Sequence, residues 1–364
     1  MKILHVYKDY DPPVHGGMER HLANTCRFQR QWADVEALVC SRGVWTRYRE
    51  HEGVKITEVG EWGRFQSAPF SILFPWYMRK IKADLVVVHV PNPTAELGWL
   101  IARPKAKLIV RYQSDVVRQA TAMKLYKPFQ MHFLAQAATI LPSSKKYLDT
   151  SPLLQDFKTR CRVVPLGILP EEFAHPNHDA VQELREKYGH PFVLFSGRHR
   201  YYKGLWYLVE AASHIKAKVV IAGDGPERKV CTELARQLGV EVFFPGTLTH
   251  QELVNHLHGC SVFAFPSCER SEAYGISMLE AHACGKPVVA TFLNTGVEEV
   301  NRDGETGVNV PPKDSQALAN ALNTLLNDES LREKMGKQAQ IRVHDAFHAE
   351  VIARKEFEIY LEVM

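Results

Sequence analysis

Val262-Phe263-Ala264-Phe265-Pro266, followed after a short gap by Ser271-Glu272-Ala273-Tyr274-Gly275-Ile276-Ser277-Met278-Leu279-Glu280-Ala281, is the stretch on which the reading of this chain turns. The apolar run reads as a buried strand and Tyr274-Gly275 as a turn. Ile276, Met278, Leu279, Ala281 and Ala283 then read as a helix apolar on most faces, with Glu272 in the loop before it and Glu280 inside it. Free amides at a helix start favour an anion such as phosphate, and a carboxylate beside a ligand accepts hydrogen bonds from sugar hydroxyls. The pair therefore suggests a site for a sugar nucleotide. The same residues also read as an ordinary helix with Glu272 near its positive end and Glu280 solvated. The continuation Ala283-Cys284-Gly285-Lys286-Pro287-Val288-Val289-Ala290 weakens that alternative. A Glu inside so apolar a helix cannot easily reach water, and a buried carboxylate needs partners.

Outward from this stretch, strand-like and helical runs alternate along the whole chain, the pattern of parallel α/β sheets covered by helices. In the first half, strands are predicted at residues 2 to 7, 35 to 40, 54 to 59, 85 to 90, 107 to 111 and 138 to 142. In the second they fall near 192 to 196, 218 to 222, 240 to 244, 261 to 265, 287 to 290 and 307 to 310. Between the series, Pro165-Leu166-Gly167-Ile168-Leu169-Pro170 and the residues to Pro176 are rich in proline and lack periodicity, which marks a linker. At 364 residues the chain exceeds the usual size of one core. Two doubly wound domains are expected, 1–165 and 166–345, with ligands bound at the carboxyl ends of the strands in a cleft between them.

Composition excludes several classes. The net charge of +4, from 45 basic and 41 acidic residues, is too even for a nucleic-acid-binding surface. The seven cysteines are odd in number and scattered, without metal-ligand or disulfide spacing, so a reducing compartment is expected. The N-terminal Met1-Lys2-Ile3-Leu4-His5-Val6 reads as a first strand rather than a signal peptide, which places the chain in the cytoplasm. No run reaches the roughly 18 apolar residues of a spanning helix. Residues 66–82 carry Phe70, Ile72, Leu73, Phe74, Trp76 and Tyr77 beside Arg79, Lys80 and Lys82. They read either as a helix capping the sheet with solvated charges or as an element resting on an anionic membrane surface.

Other candidate residues sit at strand ends. Gly16-Gly17 after the first strand allow close backbone approach to an anion at a helix start, although a plain glycine turn reads as well. Asp9-Tyr10-Asp11 imitates a metal-binding Asp-x-Asp but has no further carboxylate cluster, so no metal is expected. In Ser196-Gly197-Arg198-His199-Arg200-Tyr201-Tyr202-Lys203-Gly204, Arg198 and Lys203 could clamp a diphosphate and neutralise charge on a departing nucleoside diphosphate. A solvated basic loop is the alternative. Val220-Ile221-Ala222-Gly223-Asp224-Gly225-Pro226-Glu227 is a further strand–glycine–helix turn, but Arg228 stands where a dinucleotide fingerprint has its third glycine, which argues against hydride transfer.

Taken together, Gly16-Gly17, Ser196-Gly197-Arg198 with Lys203-Gly204, Gly223-Asp224-Gly225-Pro226, Pro245-Gly246 and the Glu272/Glu280 pair with Gly285-Lys286-Pro287-Val288 resemble the retaining glycosyltransferases of family 4, which have the GT-B fold. The likeness spans nearly the whole chain. It implies that Glu272 contacts the donor sugar, Glu280 the ribose, Arg198 and Lys203 the diphosphate, and Gly16 and Gly17 the phosphate from the other domain. It places Gly246 and Leu248 near the base, Tyr274, Gly275 and Ile276 in the anion site, and Asp115, Arg118 and Glu19 on the acceptor side. The final helix, from about 346 to 364, is expected to cross back onto the first domain. Such enzymes transfer a sugar from a nucleoside diphosphate with retained anomeric configuration and need no metal.

One departure matters. In Val110-Arg111-Tyr112-Gln113-Ser114-Asp115, Gln113 stands where the family has a histidine. Gln can hydrogen-bond a sugar hydroxyl but cannot gain a proton near neutral pH. A catalytically weakened or inactive sugar-nucleotide binder is therefore the second reading, while a two-carboxylate glycoside hydrolase fits the cationic and helix-start features poorly. Pro91-Asn92-Pro93, Ser114-Asp115 with Arg118-Gln119, and Ser151-Pro152 are similar to bacterial transferases that build O-antigen or other surface polysaccharides. That likeness implies a mannose- or rhamnose-type sugar, carried first by GDP and next by UDP, and a glycan or polyprenyl-diphosphate-linked acceptor. It is consistent with a peripheral position on the inner face of the cell membrane.

Overall fold

The structure, a computed structural model, describes residues 1–65, 68–115 and 120–364. The chain divides into two compact units, Met1–Gly167 with Ala349–Met364, and Ile168–His348.

In the first unit the strands are β1 (Lys2–Val6), β2 (Asp34–Cys40), β3 (Arg47–His51), β4 (Val54–Val59), β5 (Gly63–Phe65), β6 (Ala68–Phe70), β7 (Leu85–Val90), β8 (Lys107–Tyr112) and β9 (Thr139–Pro142). The helices between them are α1 (Gly17–Gln29), α2 (Phe74–Lys80), α3 (Pro93–Ala102), α4 (Ala120–Ala135) and α5 (Lys145–Thr150). Among the described residues seven strands form one sheet in the order β3-β4-β2-β1-β7-β8-β9, parallel except for β3. β7, Leu-Val-Val-Val-His-Val, is buried at every position, as a strand covered by helices on both faces must be. β3 was not predicted, because Arg47-Tyr48-Arg49-Glu50-His51 has no apolar alternation. It lies at the sheet edge, where charge is tolerated and discourages pairing with other chains, and Arg49 bonds Glu58 on β4 at 2.6 Å.

The second unit runs α6 (His178–Tyr188), β10 (Phe192–Ser196), α7 (Leu205–Ala211), β11 (Lys218–Ala222), α8 (Arg228–Leu238), β12 (Val242–Gly246), α9 (His250–Gly259), β13 (Val262–Phe265), α10 (Ile276–Ala283), β14 (Val288–Thr291), α11 (Val297–Val300), β15 (Gly307–Val310), α12 (Ser315–Asn327) and α13 (Glu329–Ala346). Its strands pair in parallel in the order β12-β11-β10-β13-β14-β15. β12 begins two residues later than predicted. α9 opens on a capping box, Thr249 and Glu252 each bonding the other's backbone amide.

The last helix, α14 (Ala349–Val363), belongs to the first unit and packs on α1, with Trp32 and Phe357 ring centroids 5.4 Å apart. It starts three residues later than predicted, because the chain leaves helical geometry at Phe347. Among the parallel strands of each sheet the order reverses once, between β1 and β7 and between β10 and β13. Those reversals are where open parallel sheets leave a crevice at the strands' carboxyl ends.

Candidate active site

Most predicted residues of the second unit follow β10 and β13, the strands of its reversal, while Gly246 ends β12 at the sheet edge and Leu248 follows it. β10 ends at Ser196, and the short turn Tyr201–Lys203 follows. β13 ends at Phe265 and leads through the Glu272 loop into α10. Two bonds tie these turns together: the Cys268 amide donates to the Tyr202 carbonyl at 2.7 Å, and the Tyr201 and Ser271 hydroxyls lie 3.1 Å apart. Gly204, at φ +60°, passes so close beneath this loop that a Cβ would run into the Pro266 carbonyl.

At the centre the Lys203 ammonium meets the Glu272 carboxylate at 2.5 Å, each side chain about nine-tenths buried. The ammonium also sits 4.8 Å from the centre of the Phe265 ring. Burial works against the Lys203 charge, but the Glu272 carboxylate outweighs it and holds the ammonium's pKa above the ordinary lysine range. The buried Ser267 hydroxyl donates to the same Glu272 oxygen at 3.0 Å, and the Thr291 hydroxyl in turn donates to the Ser267 carbonyl. Ser267 and Thr291 were not predicted. A serine at a strand end carries no sequence signal until the loop returns Glu272 to it.

Gly275 caps α10 at φ +91°, where a Cβ would stand 2.5 Å from Met278 Cε and 2.9 Å from Phe265 Cζ. No side chain caps the helix there, and Tyr274 before it is buried and Ile276 after it half-buried. The expected burial of the two carboxylates is corrected here. Glu272 is the buried one, and Glu280 is half-buried because Ile276, Ser277 and Glu280 share the one stripe of α10 that the core leaves uncovered. Arg198 is exposed, while its neighbour His199 is fully buried and bonds the Ala222 carbonyl at 3.3 Å. His199 backbone bonds to Asp224 and Glu227 lock the β10 turn onto the glycine turn after β11, a positioning part that the sequence did not disclose. Gly246 adopts φ +90° and gives its carbonyl to the Gly223 amide at 2.7 Å, with Leu248 half-buried beyond it.

In the first unit, Gly16 is the extended N-cap and Gly17 the first residue of α1. Glu19 lies buried in the first turn. Asp9 is held by both Arg64 and Arg42, and Asp11 by His15 and Arg20. Gln113 follows β8, buried, with its backbone amide on the Val90 carbonyl. Asp115 accepts from the Tyr112 and Ser151 hydroxyls at 2.6 and 2.7 Å, so one carboxylate oxygen is engaged in holding its own loop. Arg118 lies outside the described residues.

Residues 178–342 match the family described as glycosyl transferases group 1, and residues 16–167 match the glycosyl transferase 4-like domain. The O-antigen chain mannosyltransferase C of Escherichia coli is 33% identical over all of this chain and 99% of its own length. The chain belongs to the group 1 glycosyltransferases. D-rhamnosyltransferase WbpZ of Pseudomonas aeruginosa is 32% identical to this glycosyltransferase over 96% of the chain and 93% of its own length. Among solved structures, the sucrose-phosphate synthase of Thermosynechococcus elongatus aligns with TM-score 0.82 at 22% identity over the whole chain and 98% of its own. Anabaena Alr3699/HepE with UDP-glucose aligns over both full chains with TM-score 0.80 at 19% identity. The fold is GT-B, two Rossmann-like α/β units.

Proposed function

We propose that this glycosyltransferase moves a hexose of mannose or rhamnose type from a nucleoside diphosphate to a glycan or lipid-linked glycan in surface-polysaccharide synthesis. The transfer would retain anomeric configuration and need no metal. The observation that carries the reading is the buried Lys203–Glu272 pair beside the amides of α10, a cation and an anion preorganised at the strand reversal. The full-length relatives named for mannosyl and rhamnosyl transfer support the sugar class.

In this mechanism Glu272 holds the sugar while Lys203, Arg198 and the α10 amides take up the charge of the departing diphosphate. As the bond between the anomeric carbon and the diphosphate oxygen breaks, that oxygen accepts the acceptor hydroxyl's proton. The acceptor oxygen then bonds the same face of the sugar, which gives retention without a covalent enzyme intermediate. Glu280 is assigned the ribose hydroxyls, and Gly16 and Gly17 the phosphate.

A thermal-shift screen against GDP, UDP, ADP and dTDP, with magnesium and with EDTA, tests the donor site, because a ligand of the native state raises its melting temperature. One diphosphate should stand out with or without magnesium. No shift with any would remove the donor site and the transferase reading with it. The second reading, a binder without turnover, rests on Gln113; it predicts the same shift but neither transfer nor hydrolysis of the matching sugar nucleotide.

The membrane contact is part of the proposal. Trp45, Tyr48, Phe70, Ile72, Leu73 and Trp76 are exposed on the first unit, and the Lys80 ammonium lies 4.8 Å over the Trp76 ring. Aromatic groups beside Arg79, Lys80 and Lys82 suit an anionic lipid surface. Co-sedimentation with liposomes should rise with anionic lipid content, and an absence of that dependence would remove the contact.

A further inference from the structure

Gln113 is the near end of a line of buried polar side chains that crosses the first unit to α14. Its carboxamide Nε2 lies 3.4 Å from His89 Nδ1, and His89 Nε2 lies 3.2 Å from His5 Nδ1. His5 Nε2 lies 2.9 Å from Gln29 Oε1, and Gln29 Nε2 donates to the Ala353 carbonyl at 3.4 Å. His5, His89 and Gln29 are all fully buried. The sequence presents these residues as unrelated polar positions on β1, α1 and β7.

The far end sets the direction of every bond. The Ala353 carbonyl can only accept, so Gln29 must turn its NH2 group to α14 and its oxygen to His5. The Tyr360 phenol makes the same demand: it donates to Glu356 at 3.1 Å and so accepts from Gln29. His5 therefore carries its proton on Nε2, which leaves Nδ1 bare to accept from His89 Nε2–H. His89 Nδ1 is then bare in turn and accepts from the Gln113 NH2 group. Reversing Gln113 would require a proton on both nitrogens of one histidine, or two carbonyl oxygens facing each other at Ala353. Burial disfavours the charged form, lowering the His5 pKa to about 4 and the His89 pKa well below the ordinary histidine value, and the nearby Arg111 guanidinium and His21 add to the effect on His89.

We infer that His89, His5 and Gln29 are positioning residues that hold Gln113 in one orientation, its carboxamide oxygen left as a fixed hydrogen-bond acceptor for a hydroxyl of the donor sugar. Among the described residues that oxygen has no protein partner. The inference rests on the reading of Gln113 as a donor-sugar contact. It gives this chain's departure from the family histidine a definite chemistry: an acceptor whose polarity is set from α14, at the far end of the line.

Two-bond 1H–15N spectra of the full-length protein with 15N-histidine test the line without any ligand, the His5 and His89 signals being assigned by their loss or shift in His89→Asn. Both should be neutral with the proton on Nε2 from about pH 5.5 to 8, where an unperturbed histidine titrates. A proton on Nδ1 of either ring, or titration of either within that range, overturns the inference. Once a donor is turned over, His89→Leu should lower kcat/KM about tenfold, the value of one oriented hydrogen bond. His89→Asn, whose Oδ1 replaces Nδ1 as acceptor, should recover most of that loss, and Gln113→Met combined with His89→Leu should lose no more than Gln113→Met alone. Equal losses in folded His89→Asn and His89→Leu would also overturn it. Absence of turnover in the unmodified protein counts against the transferase reading and leaves the tautomer result to decide the line by itself.

Discussion

Lys203 and Glu272 come from different turns and meet at 2.5 Å, so each is the other's counter-ion before any ligand arrives. Under the proposed function, a diphosphate entering beside them would gain a cation that is already desolvated, and its sugar an acceptor already oriented. Lys203→Ala should therefore depress kcat by about a hundredfold while donor affinity changes less. Glu280→Ala, on the open stripe of α10, should raise the donor KM about tenfold with kcat little changed. Steady-state kinetics separates the two, and the reverse pattern would sink both assignments. Asp9 shows a different use of charge. Burial pushes its pKa up, but Arg64 and Arg42 more than offset that and leave it below the ordinary aspartate value. A depressed carboxylate stabilises the fold above its unfolded pKa and loses that contribution as pH falls through the folded one. Asp9→Asn should thus cost about 2 kcal/mol at pH 7, and the difference should fade below about pH 4, measured by urea unfolding across pH.

At the scale of elements, the turn into α10 depends on one residue without a side chain. Gly275→Ala would add a Cβ that meets Met278 and Phe265 in a left-handed backbone, so the second unit should lose about 1–3 kcal/mol. Donor binding should weaken with it, because the α10 amides would be re-aimed; calorimetry and the nucleotide thermal shift read the two effects on one sample. This turn was legible in the sequence, since an apolar strand, Tyr274-Gly275 and an apolar helix admit few other arrangements. β3 was not, because an edge strand is defined by the partner it lies against and not by a pattern of its own. The start of α14 was misread for a similar reason: residues 346–349 have helical composition, and only the docking of α14 on α1 decides where one helix stops and the next begins.

Across the whole molecule, the final helix is an integral part of the first unit. Glu356 on α14 and Arg111 on β8 are both fully buried and approach to 2.9 Å, a close ion contact whose angle does not align as a hydrogen bond. Arg111 also donates to the Leu141, Val164 and Pro165 carbonyls, so it gathers strand, segment end and helix around one charge. Glu356→Ala would leave that charge buried and uncompensated, which typically costs 3–5 kcal/mol, roughly what should be lost here. Because both partners belong to the first unit, differential scanning calorimetry should show its transition lowered and that of the second unit unmoved. A uniform shift of both would contradict this account.

Periodicity and turn chemistry, which act between near neighbours in the chain, were enough to mark the two series of parallel strands and the glycine turns at their ends and to single out Gly16, Gly17, Lys203 and Glu272 as candidates, while Gln113 was marked by the family resemblance. Only the tertiary structure decided that Lys203 and Glu272 pair, that Ser267 and His199 support them, and that Gln113 is oriented from α14 through His89, His5 and Gln29. Hydrogen bonds and ion pairs across a sheet join groups far apart in the chain. Strand order and helix docking bring them within reach, and no local pattern of residues records which ones will meet.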